Sequence, residues 1–241
     1  MLPEHFYFTG AGWLGYFIYV PIALLVTGLI YQLLLRRISL LVIRWPIMII
    51  TSMALITWPL WGALAISYQA ENLCKEQGGL HVYKTVNTYG FLGSGGIKYW
   101  SKYGFSYIEM GLGQNKRYKI TLKNGEEVRE EIPKFISRYQ VQTDANVRKI
   151  GQKFRRSSSR VIDRETNEVL GELVAFSIYP SRFDLIMLGL LPVEYNPWRC
   201  GEEAPAGKGE YSPATKKRLY SILDVVRETL KPEKRSSGDT Q

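Results

Sequence analysis

The stretch from Phe6 to Ala70 constrains this chain more than any other: it holds two long apolar segments separated only by the basic connector Arg36–Arg44. No charged residue occurs from Phe6 to Leu35, and none from Trp45 to Ala70. About 20 apolar residues cross the hydrocarbon core of a bilayer. Spans at roughly 13–35 and 46–67 would each reach about 33 to 35 Å at ~1.5 Å per residue. Two such runs back to back leave too little polar surface for a soluble protein, so the pattern predicts a transmembrane helical hairpin.

The basic residues nearest the spans set the expected orientation. Arg36, Arg37 and Arg44 lie in the connector, whereas the N-terminal flank carries only Glu4 and His5 and the downstream flank mixes Lys75 and Lys84 with Glu71 and Glu76. The positive-inside rule then puts the connector in the cytoplasm and both termini outside. A secretory signal is the rival reading of the first segment, but no basic n-region precedes it and no convincing small-x-small cleavage site follows. It is therefore expected to remain uncleaved. Trp13, Tyr16 and Tyr19 on one span, and Trp58, Trp61 and Tyr68 on the other, fall where amphipathic rings prefer the headgroup layer. Pro21 and Pro59 should bend both helices at similar depth. Small residues (Ala23, Thr27 and Gly28 against Thr51, Ala54 and Gly62) would let the backbones approach. No ionisable side chain lies inside either span, which argues against a proton relay, an ion pathway or a transporter core.

Beyond the hairpin the predicted organisation is a β-rich domain at 71–200, followed at 201–241 by a linker, an amphipathic helix and a disordered tail. The two cysteines, Cys74 and Cys200, bracket that domain. In an oxidising compartment such a pair reads as a disulfide closing it; two buried thiols are the alternative. Neither has a C-x-x-C partner or a ligand cluster, so no metal and no cofactor is expected.

Alternation and turn chemistry supply the strands. Leu80–Val86 reads as a half-buried strand, and the Gly-rich stretch Tyr89–Gly113 as a loop around Gly93–Gly96 with a strand near Phe105–Met110. Asn124-Gly125 between alternating runs predicts a hairpin at Arg117–Ile132. Phe135–Gln142 reads as a strand, Arg160–Tyr179 as a second hairpin, and Leu185–Val193 as either helix or strand. Ser212 and Pro213 suggest the start of an amphipathic helix running to about Lys231. Its apolar face would pack on its own domain or on a partner. The expected class is α+β: an N-terminal two-helix transmembrane hairpin, a mainly antiparallel β extracytoplasmic domain and a C-terminal amphipathic helix.

Catalytic constellations are near misses. Around Ser94 the G-x-S-x-G spacing fails because Leu92 stands where glycine is needed. The dinucleotide fingerprint fails at Lys98, and no P-loop follows Gly113. His81 is the one histidine in the domain and lies on a strand pattern. Glu126, Glu127, Glu130 and Glu131 read as a solvated hairpin face. The net charge is +9, and Arg148, Lys149, Lys153, Arg155, Arg156 and Arg160 form a basic stretch without acidic residues. Beside a bilayer such a stretch would attract anionic headgroups or an acidic protein; a solvated face is the plainer alternative. Nucleic acid is not expected on the outer side of a membrane.

Together these features predict a membrane-anchored, non-catalytic interaction protein of the bacterial inner membrane, with both termini periplasmic. Its partners would be the bilayer and a protein on the extracytoplasmic side, as in an accessory subunit of an envelope assembly or an inhibitor of an envelope-acting toxin. The alternative is a membrane-tethered envelope hydrolase using Ser94, or carboxylates near the glycine stretch.

Overall fold

In the computed structural model the described residues are 3–33, 41–112, 116–144, 148–150, 153–190, 196–212 and 216–233. In chain order the elements are α1 (Gly10–Leu33), α2 (Leu41–Glu76), β1 (Gly79–Val82), β2 (Val86–Thr88), β3 (Gly90–Leu92), α3 (Ile97–Ser101), β4 (Tyr107–Leu112), β5 (Lys116–Lys123), β6 (Glu126–Glu131) and β7 (Tyr139–Thr143). They continue as β8 (Arg148–Ile150), β9 (Phe154–Asp163), β10 (Val169–Ile178), α4 (Arg182–Leu190), β11 (Trp198–Cys200), β12 (Glu210–Ser212), β13 (Lys217–Leu219), α5 (Ile222–Thr229) and β14 (Leu230–Pro232). The chain divides into two compact units. The first comprises Met1–Glu76, Lys149–Arg155 and Ser177–Arg199; the second comprises Gln77–Arg148, Arg156–Phe176 and Cys200–Gln241.

The first unit is built on α1 and α2, both long and apolar enough to cross a membrane. Their pairing is antiparallel, because partners on one fall in number as those on the other rise. The Glu4 N–H donates to Glu71 at 3.3 Å, the Tyr7 N–H to the Ser67 hydroxyl at 3.0 Å, and the Tyr19 hydroxyl to the Leu55 carbonyl at 3.0 Å. The last bond has a local cause. Pro59 has no N–H, so the carbonyl four residues earlier, that of Leu55, loses its intrahelical donor. Tyr19 supplies a replacement from the neighbouring helix. Among the small residues predicted to line the contact, Ala23 and Thr27 are buried, whereas Ala54 is exposed and a side chain at Gly28 would meet open space. The rings of Trp58 and Trp61 and the side chains of Phe17 and Leu25 are each about 70 % exposed.

The second unit is organised on a sheet with the order β1-β10-β9-β7-β3-β4-β5-β6. It is mixed but still mainly antiparallel: β1–β10, β7–β9, β4–β5 and β5–β6 pair antiparallel, whereas β3 runs parallel to both β4 and β7; β14 and β2 form a separate parallel pair. The reason lies in the Gly-rich stretch. Parallel neighbours need a crossover rather than a tight turn, and the segment after β3 supplies one through α3. That short helix delivers Ile97 and Trp100 to the core, where Trp100 meets Phe91 and Phe105 edge-on with ring centroids 5.0 and 5.8 Å apart. The hairpin predicted from Asn124-Gly125 is present as β5–β6, with both turn residues at positive φ (51° and 82°). The strand predicted at Leu80–Val86 is split into β1 and the start of β2.

The C-terminal helix begins later than predicted. Ser212 closes β12, which pairs with β13, and α5 starts after Ser221. Asp224 explains the choice: its carboxylate accepts the Ser221 backbone N–H at 2.7 Å and the Ser221 hydroxyl at 3.0 Å. This ties off the helix N-terminus, where backbone donors otherwise lack partners. Val225, Val226 and Leu230 join the same core cluster as Ile97, Trp100 and Ile108, so α3 and α5 cover one face of the sheet. The helix thus packs on its own unit. The tail from 234 onward lies outside the described residues.

Candidate functional site

In the first unit the run that could be strand or helix is the helix α4, and it is fastened to the start of α1. Ser181, Arg182, Phe183 and Asp184 form the S-x-x-D pattern that opens a helix ahead of an apolar run. The Asp184 N–H donates to the Ser181 hydroxyl at 3.2 Å. The same aspartate reaches across to α1, accepting the Thr9 hydroxyl at 2.7 Å and the Thr9 backbone N–H at 3.2 Å. Thr9 is itself the cap of α1, accepting the Gly12 N–H at 2.8 Å through its hydroxyl. One fully buried carboxylate therefore serves two helix N-termini. Burial pushes its pKa up, while the hydrogen bonds from Thr9 and Ser181 pull against the shift. Glycine is required opposite it, since a Cβ on Gly12 would overlap the Asp184 Oδ1, and one on Gly15 would overlap the Met187 side chain.

The basic stretch separates into groups with different partners. Lys153 donates to the Pro180 carbonyl at 2.8 Å, and the Tyr179 N–H donates to the Lys153 carbonyl at 2.8 Å. Arg155 lies over the Tyr179 ring at 4.9 Å. Burial, reinforced by the nearby Arg182, lowers the Lys153 pKa. In the second unit, Arg156 and Arg160 both donate to Glu172 at 2.8 Å, so these two cations share one acid contributed by β10. Arg148 and Lys149 belong to β8, but their side chains lie outside the described residues. Arg36 and Arg37 also lie outside them; Arg44 falls within α2 with its side chain undescribed.

Ser94 and His81 are not brought together. Ser94 follows β3, and its carbonyl accepts the Trp100 indole N–H at 3.3 Å. His81 sits on β1, its Nε2 3.3 Å from the Gln77 carbonyl and its ring stacked on Tyr83. Three strands separate β1 from β3 in the sheet, about 19 Å at ~4.8 Å per strand. Imidazole on β1 is therefore beyond the reach that a base needs to activate that hydroxyl. Near the glycine loop the Glu127 carboxylate accepts the Lys98 N–H at 3.4 Å. Fully buried Glu109 on β4 accepts the N–H groups of Ile136 and Ser137. Both carboxylates are engaged with backbone.

Among the described residues neither Cys74 nor Cys200 is a free cysteine. Among the described residues no group of three or more His, Cys, Asp and Glu side chains is arranged to hold a metal ion. Sequence reasoning missed Thr9, Ser181, Arg182 and Asp184, although the S-x-x-D pattern ahead of an apolar run was there to find. No protein-family model matches the chain, and no curated protein or solved structure is detectably similar to it.

Proposed function

We propose that this chain is an integral membrane protein whose antiparallel helical hairpin anchors an α+β domain on the outer face of a bacterial inner membrane, where the domain binds another protein and performs no catalysis. The observation that carries the anchor is the exposed apolar surface of α1 and α2. Side chains such as Phe17, Leu25, Trp58 and Trp61 stand about 70 % exposed, a loss of apolar burial that water penalises and acyl chains do not. Arg36, Arg37 and Arg44 between the helices orient the hairpin with its connector in the cytoplasm. A disulfide between Cys74 and Cys200 fits an oxidising compartment.

A reporter enzyme active only outside the cytoplasm, fused after Gln241, is expected to be active, and the same reporter inserted between Arg37 and Arg44 to be silent. The opposite pattern would overturn the orientation and, with it, the periplasmic partner. Full-length protein extracted from native membranes with mild detergent should carry a stoichiometric protein partner. A Ser94→Ala, His81→Ala chain should keep that partner; loss of a measurable hydrolytic activity in the variant would favour the hydrolase instead.

A further inference from the structure

We propose that the exposed face of α4, together with the cations at its start, is a lipid-binding surface: an interfacial helix lying in the headgroup layer beside α1 and seating anionic phospholipid headgroups on Lys153, Arg155 and Arg182. It rests on the membrane anchorage proposed above and adds to the hairpin a third element in contact with lipid.

Depth comes from the docking of α4. Asp184 is bonded to Thr9, Met187 lies against Gly15, and Phe183 has ring centroids 6.2 Å from Phe8 and 5.7 Å from Tyr19. If α1 enters the hydrocarbon near Trp13, these partners lie at its headgroup end. A helix fastened there shares their depth.

Apolar character comes from the face turned away from α1. Leu185 is 47 % exposed, Ile186 59 % and Leu190 71 %. Nine residues cannot cross a bilayer, but a helix with aliphatic side chains on one face and cations beside it lies in the interface plane with that face among the acyl chains. On α1 itself Leu14, Phe17 and Ile18 are also exposed, so the α4 face continues a surface already suited to lipid.

Charge comes from the chain that leads into α4. Lys153 is bonded to Pro180, Arg155 covers Tyr179, and Arg182 opens the helix with its side chain exposed. The acid of α4, Asp184, is buried and spends its hydrogen bonds on Thr9 and Ser181. Arg155 and Arg182 are left exposed beside an aliphatic face, with half-buried Lys153 behind them on the Pro180 carbonyl, which matches a phosphate headgroup on its acyl chains better than the acidic, charged surface of a soluble protein.

Full-length chain with its native cysteines is placed in nanodiscs of phosphatidylglycerol and phosphatidylethanolamine, with a nitroxide on one introduced cysteine at a time: Ile186→Cys, Leu25→Cys or Tyr211→Cys. Collision with oxygen and with a water-soluble nickel chelate is measured at each. Ile186 and Leu25 are expected to favour oxygen, and Tyr211 the chelate. If Leu25 favours oxygen while Ile186 matches Tyr211, or is shielded from both reagents by protein, the interfacial helix is overturned and the anchor stands. If Leu25 favours the chelate, the anchor fails and the helix fails with it. Charge is read separately, from the preference for spin-labelled phosphatidylglycerol over phosphatidylcholine. Arg155→Gln and Arg182→Gln should each lower that preference about fivefold, and an unchanged preference overturns the headgroup site.

Discussion

Glu109 and Asp184 are both fully buried acids, and each is held by groups that the folding of distant segments delivers. Glu109 accepts the Ile136 N–H at 3.1 Å and the Ser137 N–H at 2.9 Å, fixing the segment between β6 and β7 to the middle of the sheet. Glu109→Ala strands two backbone donors, so unfolding of the full chain in detergent should become easier by about 2 to 4 kcal/mol. Glu109→Gln should lose less, because its carbonyl still accepts. Asp184 responds to pH instead. Burial raises its pKa above the ordinary 3.8, so the folded chain holds that proton more tightly than the unfolded chain. Its stabilising contribution is fully present below 3.8 and is lost as pH rises through the raised value. The stability of the natural chain relative to Asp184→Asn should therefore grow as pH falls from about 7 toward 4; a gap that does not change with pH would show that Asp184 ionises freely. The local half of this arrangement, Ser181 to Asp184, is legible in sequence. Its other half is Thr9, 175 residues away in the chain, and no local pattern announces it.

At the scale of elements, the helical hairpin is stapled where a proline disrupts it. Pro59 frees the Leu55 carbonyl and Tyr19 fills it. Tyr19→Phe should weaken the pairing of α1 and α2 by about 1 kcal/mol in a bilayer, measurable as easier steric-trap or denaturant unfolding in lipid; Tyr16→Phe serves as the control. A Tyr19→Phe chain as stable as its parent would show that the freed carbonyl finds another donor. The β5–β6 hairpin was legible because Asn124-Gly125 encodes its turn within two residues. The β3–α3–β4 crossover was not. β3 is only three residues long and buried throughout, so no alternation marks its partners, and parallel pairing is decided by how far the chain travels before returning. The start of α5 was misread for a related reason: Ser212-Pro213 and Ser221 with Asp224 are both plausible helix openings. Pairing of β12 with β13 puts Ser212 in a strand and leaves Ser221 as the cap.

For the whole molecule, the two units are interleaved along the sequence, since Lys149–Arg155 and Ser177–Arg199 belong with the apolar helices although they lie far downstream of them. Cys74 and Cys200 belong to different units. The disulfide proposed between them would close a loop of more than 100 residues and restrict the unfolded chain, so on that proposal Cys200→Ser should reduce stability by about 4 to 5 kcal/mol. Protein from native membranes should migrate faster on a non-reducing gel than on a reducing one. Equal mobility, with free thiols on labelling, would remove the cross-link and weaken the case for an oxidising compartment.

By itself the sequence determined whatever depends on composition over a long window or on adjacent residues. Two charge-free apolar runs require long apolar helices, three arginines between them set an expected orientation, and Asn-Gly requires a turn. Tertiary structure alone decided which charges face outward. Arg156 and Arg160 share Glu172, Lys153 and Arg155 sit beside the segment entering α4, and Asp184 turns inward to cap α1. The physical reason is that an ion pair or a buried carboxylate is stabilised by groups a few ångströms away in space, and those groups lie up to 175 residues away in the chain.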